Sequence, residues 1–203
     1  MIRHRPSAFW LFLTLLAALL AAMLALGGPA SPADRALLRS AQIEALVPAA
    51  RMLTHGGDGV TAVVVGSLVA LAMLWRGARR QAMLLMFVIL SQRAAVEWLK
   101  AIFDRARPDP EGRLVAVHSM AYPSGHAAGA MTLGLALALL LPLRPERRPW
   151  LIALALAFAF AVGFTRLVLG AHWPSDVAGG WAFGALWTLL LVRLFGTSPA
   201  APH

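Results

Sequence analysis

The chain contains no cysteine, a single tyrosine and only 9 acidic residues among 203. Without cysteine it can form neither disulfide bonds nor thiolate metal sites, so cysteine usage says nothing about redox compartment. The chain is also too poor in polar residues to close around one aqueous core, since 60% of its residues are hydrophobic and the mean hydropathy is +0.72. This composition predicts an integral membrane protein.

Six apolar runs recur along the chain, most of them near the ~20 residues needed to cross a bilayer. They lack the period-2 alternation of barrel strands, and a helix satisfies its own backbone groups in lipid. We therefore expect an all-α polytopic membrane protein, a bundle of six transmembrane helices forming a single domain over residues 1–203. The predicted spans are Phe9–Leu26, Val60–Trp75, Met83–Ile102, Ala127–Leu143, Trp150–Val168 and Val177–Phe195.

The longest connection, about residues 27–59, is expected to lie at the extracytoplasmic interface. Its Ser-Pro-Ala-Asp stretch at 31–34 is typical of a helix start, and we expect that helix to continue to Val47. The apolar stripe of this helix fits an interfacial position and packing on the bundle equally well. His55 and Asp58 follow in a glycine-rich segment, for which a solvated turn is favoured over contact with a lipid head group.

The net charge of +9 is distributed unevenly between the two ends of the expected bundle. By the positive-inside rule both termini are cytoplasmic, and this distribution argues against a nucleic-acid partner. The first run is expected to remain as an uncleaved anchor, because it is longer than the ~7–15-residue core of a signal peptide. One end carries nine basic residues against Glu146 alone, and the nine are Arg3, Arg5, Arg76, Arg79, Arg80, Arg144, Arg147, Arg148 and Arg193.

Polar residues interrupt the apolar chain at the expected extracytoplasmic end. Lys100 closes the third run and Arg107 follows in the loop, which gives a compact charge and a planar donor fork suited to phosphate oxygens. Ser124 and Gly125 precede the fourth run, where helix N–H groups favour an anion and glycine permits its close approach. His126 follows directly. Each of these features alone also has an ordinary structural explanation.

The third polar group is the most specific. Arg166 ends the fifth run, and a short turn through Gly170 returns His172 to the start of the sixth. Asp176 is expected to accept a hydrogen bond from the His172 ring, which would fix its tautomer and stabilise the cation formed when it attacks. The three groups supply what is needed to hold a tetrahedral anion, attack it and protonate what leaves. From the residues alone, only this aspartate decides which histidine attacks.

Together these blocks resemble the signature of the type 2 phosphatidic acid phosphatase superfamily, the lipid phosphate phosphatases. That signature is Lys-x6-Arg-Pro, Pro-Ser-Gly-His and Ser-Arg-x5-His-x3-Asp, and all three blocks occur in order with 14 and 38 residues between them. The motif core spans residues 100–176. Thr165 stands where the family usually has serine, so the hydroxyl is kept and a methyl group is added.

The resemblance implies a membrane lipid phosphatase and a role for each motif residue. His172 is the nucleophile that forms a phosphohistidine, and Asp176 orients it. His126 protonates the leaving oxygen and then activates water. The phosphoryl oxygens are bound by the remaining motif residues, Lys100, Arg107, Ser124, Gly125 and Arg166.

Other classes of function remain as alternatives. A metal hydrolase could use His126, His172 and Asp176 as ligands, but the converging cations would repel a divalent ion, so we expect neither metal nor cofactor. A vanadium-dependent haloperoxidase has a similar anion pocket, but those enzymes are soluble. A non-catalytic phospholipid-binding or transport-like protein would not need the nucleophile, the orienting acid and the second histidine.

The expected partner is a phosphorylated membrane lipid in the bilayer, with its phosphate at the outer head-group level, because no charge then has to cross hydrocarbon. Undecaprenyl diphosphate, phosphatidylglycerophosphate, phosphatidic acid and lipid A phosphate meet this condition, and we rank the first highest. A bacterial inner membrane is the expected location.

Two features of the helices leave a choice open. Arg93 and Glu97 have helical spacing with Lys100, so they either influence that lysine or form a structural pair inside the bundle. Gly180 and Gly184 have the small-xxx-small spacing of close helix contacts, which intramolecular packing explains without a dimer. The oligomeric state therefore stays open.

Overall fold

The protein is described by a computed structural model that covers residues 6–196, and this part of the chain contains helices and no strand. Arg3 and Arg5 of the predicted charge asymmetry lie outside it. The α-helices are α1 Pro6–Leu26, α2 Pro32–Ala41, α3 Val47–Leu53, α4 Gly59–Trp75, α5 Arg79–Phe103, α6 Gly125–Leu140, α7 Arg148–Val168 and α8 Pro174–Phe195. Short 3-10 turns lie at Glu44–Leu46, Thr54–Gly57, Pro110–Gly112 and Pro145–Arg147.

Each of the six predicted runs forms one long helix: α1 and α4 to α8. Most of these helices begin before the apolar run, as α5 does at Arg79, because arginine and glutamine are good helix formers and can extend into water. At their C-terminal ends the helices agree closely with the predicted runs, except for the fourth run, which was expected to continue to Leu143. Helix α6 stops at Leu140, since Leu141 is extended (ψ 134°) ahead of Pro142, whose ring disfavours a helical conformation at the preceding residue.

The structure confirms an all-α membrane architecture, but not six full-length spans. Four helices are long and apolar enough to cross a membrane: α1, α5, α7 and α8. A fifth span results if residues 44–57 and helix α4, which meet at 52°, are taken as one bent crossing. Helix α6 has only 16 residues, about 24 Å at 1.5 Å per residue, and is short for a full crossing.

The outer faces of the long helices carry large apolar side chains that none of residues 6–196 covers. Such a surface is expected where helices contact lipid rather than water. Examples with at least half of the residue exposed are Leu11, Leu15, Leu68, Leu71, Trp75, Phe87, Trp98, Trp150 and Leu154. The protein is therefore a multi-pass membrane protein.

Helix α6 lies at the centre, packed against α4, α5, α7 and α8, and α1 covers α8 from outside. The contact between α6 and α8 is close because glycines line it. A Cβ at Gly180 would lie 2.6 Å from the Ser124 carbonyl oxygen, and one at Gly184 would lie 2.5 Å from that of Ala128. The predicted small-residue contact is thus confirmed as packing within one chain.

The segment between α1 and α4 differs from the prediction. Ser31 caps α2 as expected, its hydroxyl accepting the Asp34 N–H at 3.3 Å. However, α2 ends at Ala41 instead of Val47, and Val47 begins a second helix, α3. Pro48 lies in the first turn of that helix instead of following the end of one, because its fixed φ and missing N–H suit a first turn. Both α2 and α3 contact α7, so the segment packs on the bundle.

Candidate active site

The three polar groups meet at one end of the bundle. Helix α5 ends there, α6 begins there, and the turn from α7 to α8 returns to the same end. That turn depends on Gly170 for two reasons. Its φ of +65° is in the left-handed region, and a Cβ at this position would collide with the Gly112 backbone. The fold therefore brings together three motifs that lie far apart in the sequence.

His172 is buried behind the guanidinium of Arg107. Arg107 Nη1 lies 3.1 Å from His172 Nε2, and because arginine can only donate, Nε2 accepts and carries no proton. Burial lowers the pKa of His172 well below its usual value, and the positive charges of Arg107 and Arg166 lower it further. The ring is therefore neutral at physiological pH, with the lone pair of Nε2 directed at the cation.

The expected hydrogen bond between Asp176 and His172 is not formed. His172 Nδ1 lies 3.4 Å from Asp176 Oδ2, yet it has no hydrogen-bond partner among the described residues. Asp176 instead accepts from Arg105 Nη1 at 2.9 Å with Oδ1 and from the Trp173 N–H at 2.9 Å with Oδ2. The carboxylate is thus held rigidly beside the ring, close enough to offset positive charge on it.

Arg105 was not singled out from the sequence, because an arginine in a loop is usually solvated. Here it is buried and contacts Asp176, the Ser175 hydroxyl at 2.9 Å and the carbonyl oxygens of Met23 and Leu24. Asp34, the predicted helix-start acid, accepts hydrogen bonds from the Ser175 N–H and hydroxyl. A buried polar network therefore supports the start of α8 directly behind His172.

The predicted phosphate-binding cations lie around the same point. Lys100 Nζ donates to Ser119 Oγ at 3.0 Å, and Arg107 Nε donates to the Ser119 carbonyl at 2.5 Å. Burial lowers the pKa of Arg107 to about 10, so it stays charged at neutral pH. Arg166 Nη1 donates to Thr54 Oγ1 at 2.7 Å, whereas its buried Nε has no partner among the described residues. That unpaired donor is available to an anion.

Ser124 and Gly125 form the start of α6 beside these cations. Ser124 is fully buried and caps the helix, its Oγ accepting the Ala127 N–H at 3.5 Å. A Cβ at Gly125 would lie 3.5 Å from Lys100 Nζ, so the helix start and the ammonium are adjacent. The N–H groups of this first turn and the lysine thus face a common space.

His126 has a partner that the sequence analysis assigned to a solvated turn. Asp58 Oδ1 lies 2.7 Å from His126 Nε2, and its Oδ2 lies 2.8 Å from His55 Nδ1. Asp58 immediately precedes α4, and only the fold brings it beside α6. The carboxylate orients the His126 ring and offsets the positive charge that the ring carries when protonated.

The residues do not form a recognisable metal centre. Within residues 6–196 no group of three or more His, Asp and Glu side chains could hold a metal ion. His172 Nε2, the atom that a metal would need, faces a guanidinium instead. Metal independence remains a prediction.

Comparison with known proteins relates this chain to a family of membrane phosphatases. Residues 81–199 match the PAP2 superfamily. The chain is 36% identical over 78 residues to an undecaprenyl-diphosphatase of Sulfolobus acidocaldarius, and 35% identical over 137 residues to a lipid A 1-phosphatase of Rhizobium johnstonii. These alignments cover 38% and 62% of the chain, but only 35% and 50% of those relatives. A phosphatidylglycerophosphatase B of Bacillus subtilis is 28% identical over 66% of the chain and 68% of its own length.

Solved structures agree on the fold. The crystal structure of the transmembrane PAP2 type phosphatidylglycerolphosphate phosphatase from Bacillus subtilis superposes with a TM-score of 0.73 at 25% identity, covering 94% of this chain and 96% of that one. LpxE from Aquifex aeolicus superposes with a TM-score of 0.61 at 23% identity, over 77% of this chain and 91% of that one. Because the family match extends over more than half of the sequence, this multi-pass membrane chain belongs to the PAP2 superfamily.

Proposed function

We propose that this protein is a lipid phosphatase that transfers the terminal phosphoryl group of a membrane lipid to His172 and then to water. The observation that carries this proposal is the contact between Arg107 and the unprotonated Nε2 of a buried, neutral His172. A nucleophile and a phosphate-binding cation are thereby adjacent before any substrate arrives. The relatives named above act on lipid phosphates, which supports the same reaction class.

In the first step, Nε2 of His172 attacks phosphorus in line with the lipid oxygen. The N–P bond forms, the P–O bond to the lipid breaks, and the lipid oxygen takes a proton from His126. Lys100, Arg107 and Arg166 bind the three equatorial oxygens, with the first turn of α6 adding N–H donors. Asp176 offsets the positive charge on the phosphorylated ring.

In the second step, water attacks the phosphohistidine from the side that the lipid has left. His126 accepts a proton from that water, a new P–O bond forms as the N–P bond breaks, inorganic phosphate is released, and neutral His172 is regenerated. Asp58 holds the His126 ring in place through both steps. No metal or cofactor takes part in this scheme.

A non-catalytic phospholipid-binding or transport-like protein is the alternative. Binding alone requires the cations, but neither an unprotonated imidazole beside them nor a second histidine positioned by a carboxylate. Undecaprenyl diphosphate is the first substrate to test, followed by phosphatidylglycerophosphate, phosphatidic acid and lipid A phosphate. The relatives include phosphatases for three of these four lipids, so they support lipid phosphates as the class of substrate without selecting one compound.

Phosphate release from these four lipids by the purified protein in detergent tests the proposal. We expect release from at least one lipid, unchanged by a strong chelator and inhibited by vanadate, which imitates five-coordinate phosphorus. Absence of release from every lipid would favour the binding protein. Loss of activity on chelation, restored by zinc or magnesium, would contradict the metal-free mechanism.

We also propose that both termini are cytoplasmic and that the active site faces the extracytoplasmic side of a bacterial inner membrane. Because the chain has no cysteine, Arg79→Cys and Glu111→Cys each introduce a single reporter, and both positions are exposed in the structure. A membrane-impermeant maleimide should label position 111 in intact cells, and position 79 only after permeabilisation. Labelling of both positions from one side would overturn this topology.

A further inference from the structure

A cavity of about 150 Å³ lies between α4, α5 and α6, next to the phosphate-binding cations. Its lining includes Lys100, Gly125 and His126 of the predicted site, together with Gly59, Arg93 and Glu97. His172 is not among the described residues that line it. In the proposed reaction His126 protonates the departing oxygen, so this cavity lies on the side of the phosphate where the lipid leaves.

Arg93 is a cation in an unusual place within this cavity. It lies ten residues before the end of α5 at Phe103, about 15 Å below that end at 1.5 Å per residue. Charged side chains within a membrane span normally face a partner, yet Arg93 is exposed and forms no ion pair with any residue in the described part of the chain. Glu97, one turn away, pairs with Lys100 Nζ at 2.9 Å instead.

The position of the Arg93 side chain depends on a glycine. Its guanidinium occupies the space that a Cβ at Gly59 would fill, at the start of α4. The guanidinium of this exposed residue therefore lies against the backbone at Gly59, at the rim of the cavity. Arg93 and Lys100 are seven residues apart, about two helical turns, so both project from the same face of α5.

We infer that Arg93 binds a second phosphoryl group, carried by the part of the lipid that leaves, and that it thereby sets substrate preference. This inference rests on the proposed phosphatase reaction. In a lipid diphosphate the leaving part is a lipid monophosphate, and in phosphatidylglycerophosphate it is a phosphodiester. Both leave with an anionic phosphoryl group that a planar guanidinium binds well. Phosphatidic acid and a polyprenyl monophosphate leave with none.

Glu97 makes binding of a second phosphoryl group depend more strongly on Arg93. Its carboxylate lines the same cavity and would repel a second phosphoryl group unless a cation stood beside it. Lys100 is engaged by Glu97 and, in the proposed reaction, by the scissile phosphate, so Arg93 is the other basic side chain of the lining that can bind a second phosphoryl group. A lipid with one phosphate needs no such compensation.

Two substrate pairs, each matched in its hydrocarbon part, test the inference: farnesyl diphosphate with farnesyl monophosphate, and phosphatidylglycerophosphate with phosphatidic acid. The quantity measured is a ratio within each pair: kcat/KM for the lipid with a second phosphoryl group, divided by kcat/KM for its partner without one. For Arg93→Ala we expect this ratio to fall by on the order of 10- to 100-fold in at least one pair, the cost of a charge-assisted hydrogen bond. The pair that responds identifies the source of the second phosphoryl group.

Three further variants separate recognition from general damage. Gly59→Ala, which displaces the guanidinium, should lower the ratio in the same pair, and Arg93→Lys should restore part of it. Arg79→Ala removes an arginine from the other end of α5 and should leave both ratios unchanged. Equal loss on both members of each pair, or no loss on either, would overturn the role of Arg93. Wild-type protein that releases phosphate neither from these four compounds nor from undecaprenyl diphosphate or lipid A phosphate would instead refute the underlying phosphatase reaction.

Discussion

Replacement of His172 by alanine is expected to reduce lipid phosphatase activity by on the order of 10⁴- to 10⁶-fold, as loss of a nucleophile does in other covalent mechanisms. The physical reason is that Nε2 of this buried ring is the atom next to the phosphate-binding Arg107. Steady-state phosphate release measures the loss. Normal folding of the variant is checked by its thermal unfolding in detergent, since removal of a neutral ring leaves no buried charge behind.

Replacement of His126 by alanine is expected to have a different effect. General acid catalysis is worth roughly 10²- to 10⁴-fold on poor leaving groups, so natural lipids should lose about that much. With p-nitrophenyl phosphate the leaving group is p-nitrophenolate, which needs no proton, so phosphorylation of the enzyme by this substrate should be less affected. Asp58→Asn should change activity in the same direction by a smaller factor, because it only positions the ring. Equal losses for both histidine variants on both substrates would contradict the assignment.

The pH dependence follows from the lowered pKa of His172. A lowered pKa favours the neutral ring, so the nucleophile remains active below the usual value of 6.5 and is lost only when the pH falls through the depressed pKa. The acid limb of the phosphorylation step, followed by single-turnover quench, should therefore lie below pH 6.5. An acid limb above that value would show that the ring is not desolvated as the structure indicates.

Replacement of Arg105 by methionine is the second change with a large expected effect, here on stability. The guanidinium pairs with Asp176 and contacts Ser175, and its loss would leave a buried carboxylate without its ion-pair partner. Breaking a buried ion pair from one side typically costs about 3–5 kcal/mol. Thermal unfolding in detergent should show a large fall in midpoint, and phosphatase activity should fall because Asp176 loses its anchor.

Two comparisons make this result specific. Arg35→Ala removes an exposed arginine whose bond is to the Pro29 carbonyl, and it should leave the midpoint nearly unchanged. Adding Asp176→Asn to Arg105→Met removes the uncompensated charge and should recover part of the stability, though not the activity. If Arg105→Met behaves like Arg35→Ala, the buried network does not support α8 in the way described.

Much of the fold could be predicted because hydrophobic run length is a strong signal for membrane helices. The six runs were located within a few residues, and the errors occurred where local backbone chemistry decides. Helix α6 ends early ahead of Pro142. Pro48 lies in the first turn of α3, whereas the prediction placed it after the end of a helix. The number of complete spans does not follow from run length alone, since helices of 16 and 17 residues fall at the limit of what crosses a bilayer.

The motif residues could be singled out because their side chain types and spacing are typical of phosphate chemistry, and the fold brings them to one end of the bundle, while their roles stay predictions. Arg105 and Asp58 could not, since their importance comes from contacts with residues 71 and 68 positions away in the chain. Thr165 illustrates a third case. Its hydroxyl donates to the Val162 carbonyl within α7 at 2.6 Å, so the question raised by its replacement of serine concerns helix packing more than the phosphate site.

The central claim is that His172 carries the phosphoryl group between the lipid and water, and rapid quenching tests it most directly. The purified protein is mixed with lipid labelled in its terminal phosphate, quenched in alkali within the first turnover, digested and mapped by mass spectrometry. The mechanism predicts an acid-labile phosphoryl group on His172 that forms and decays at rates compatible with turnover, and that is absent from His172→Ala. A label on His126, or full turnover through no labelled protein at all, would contradict it.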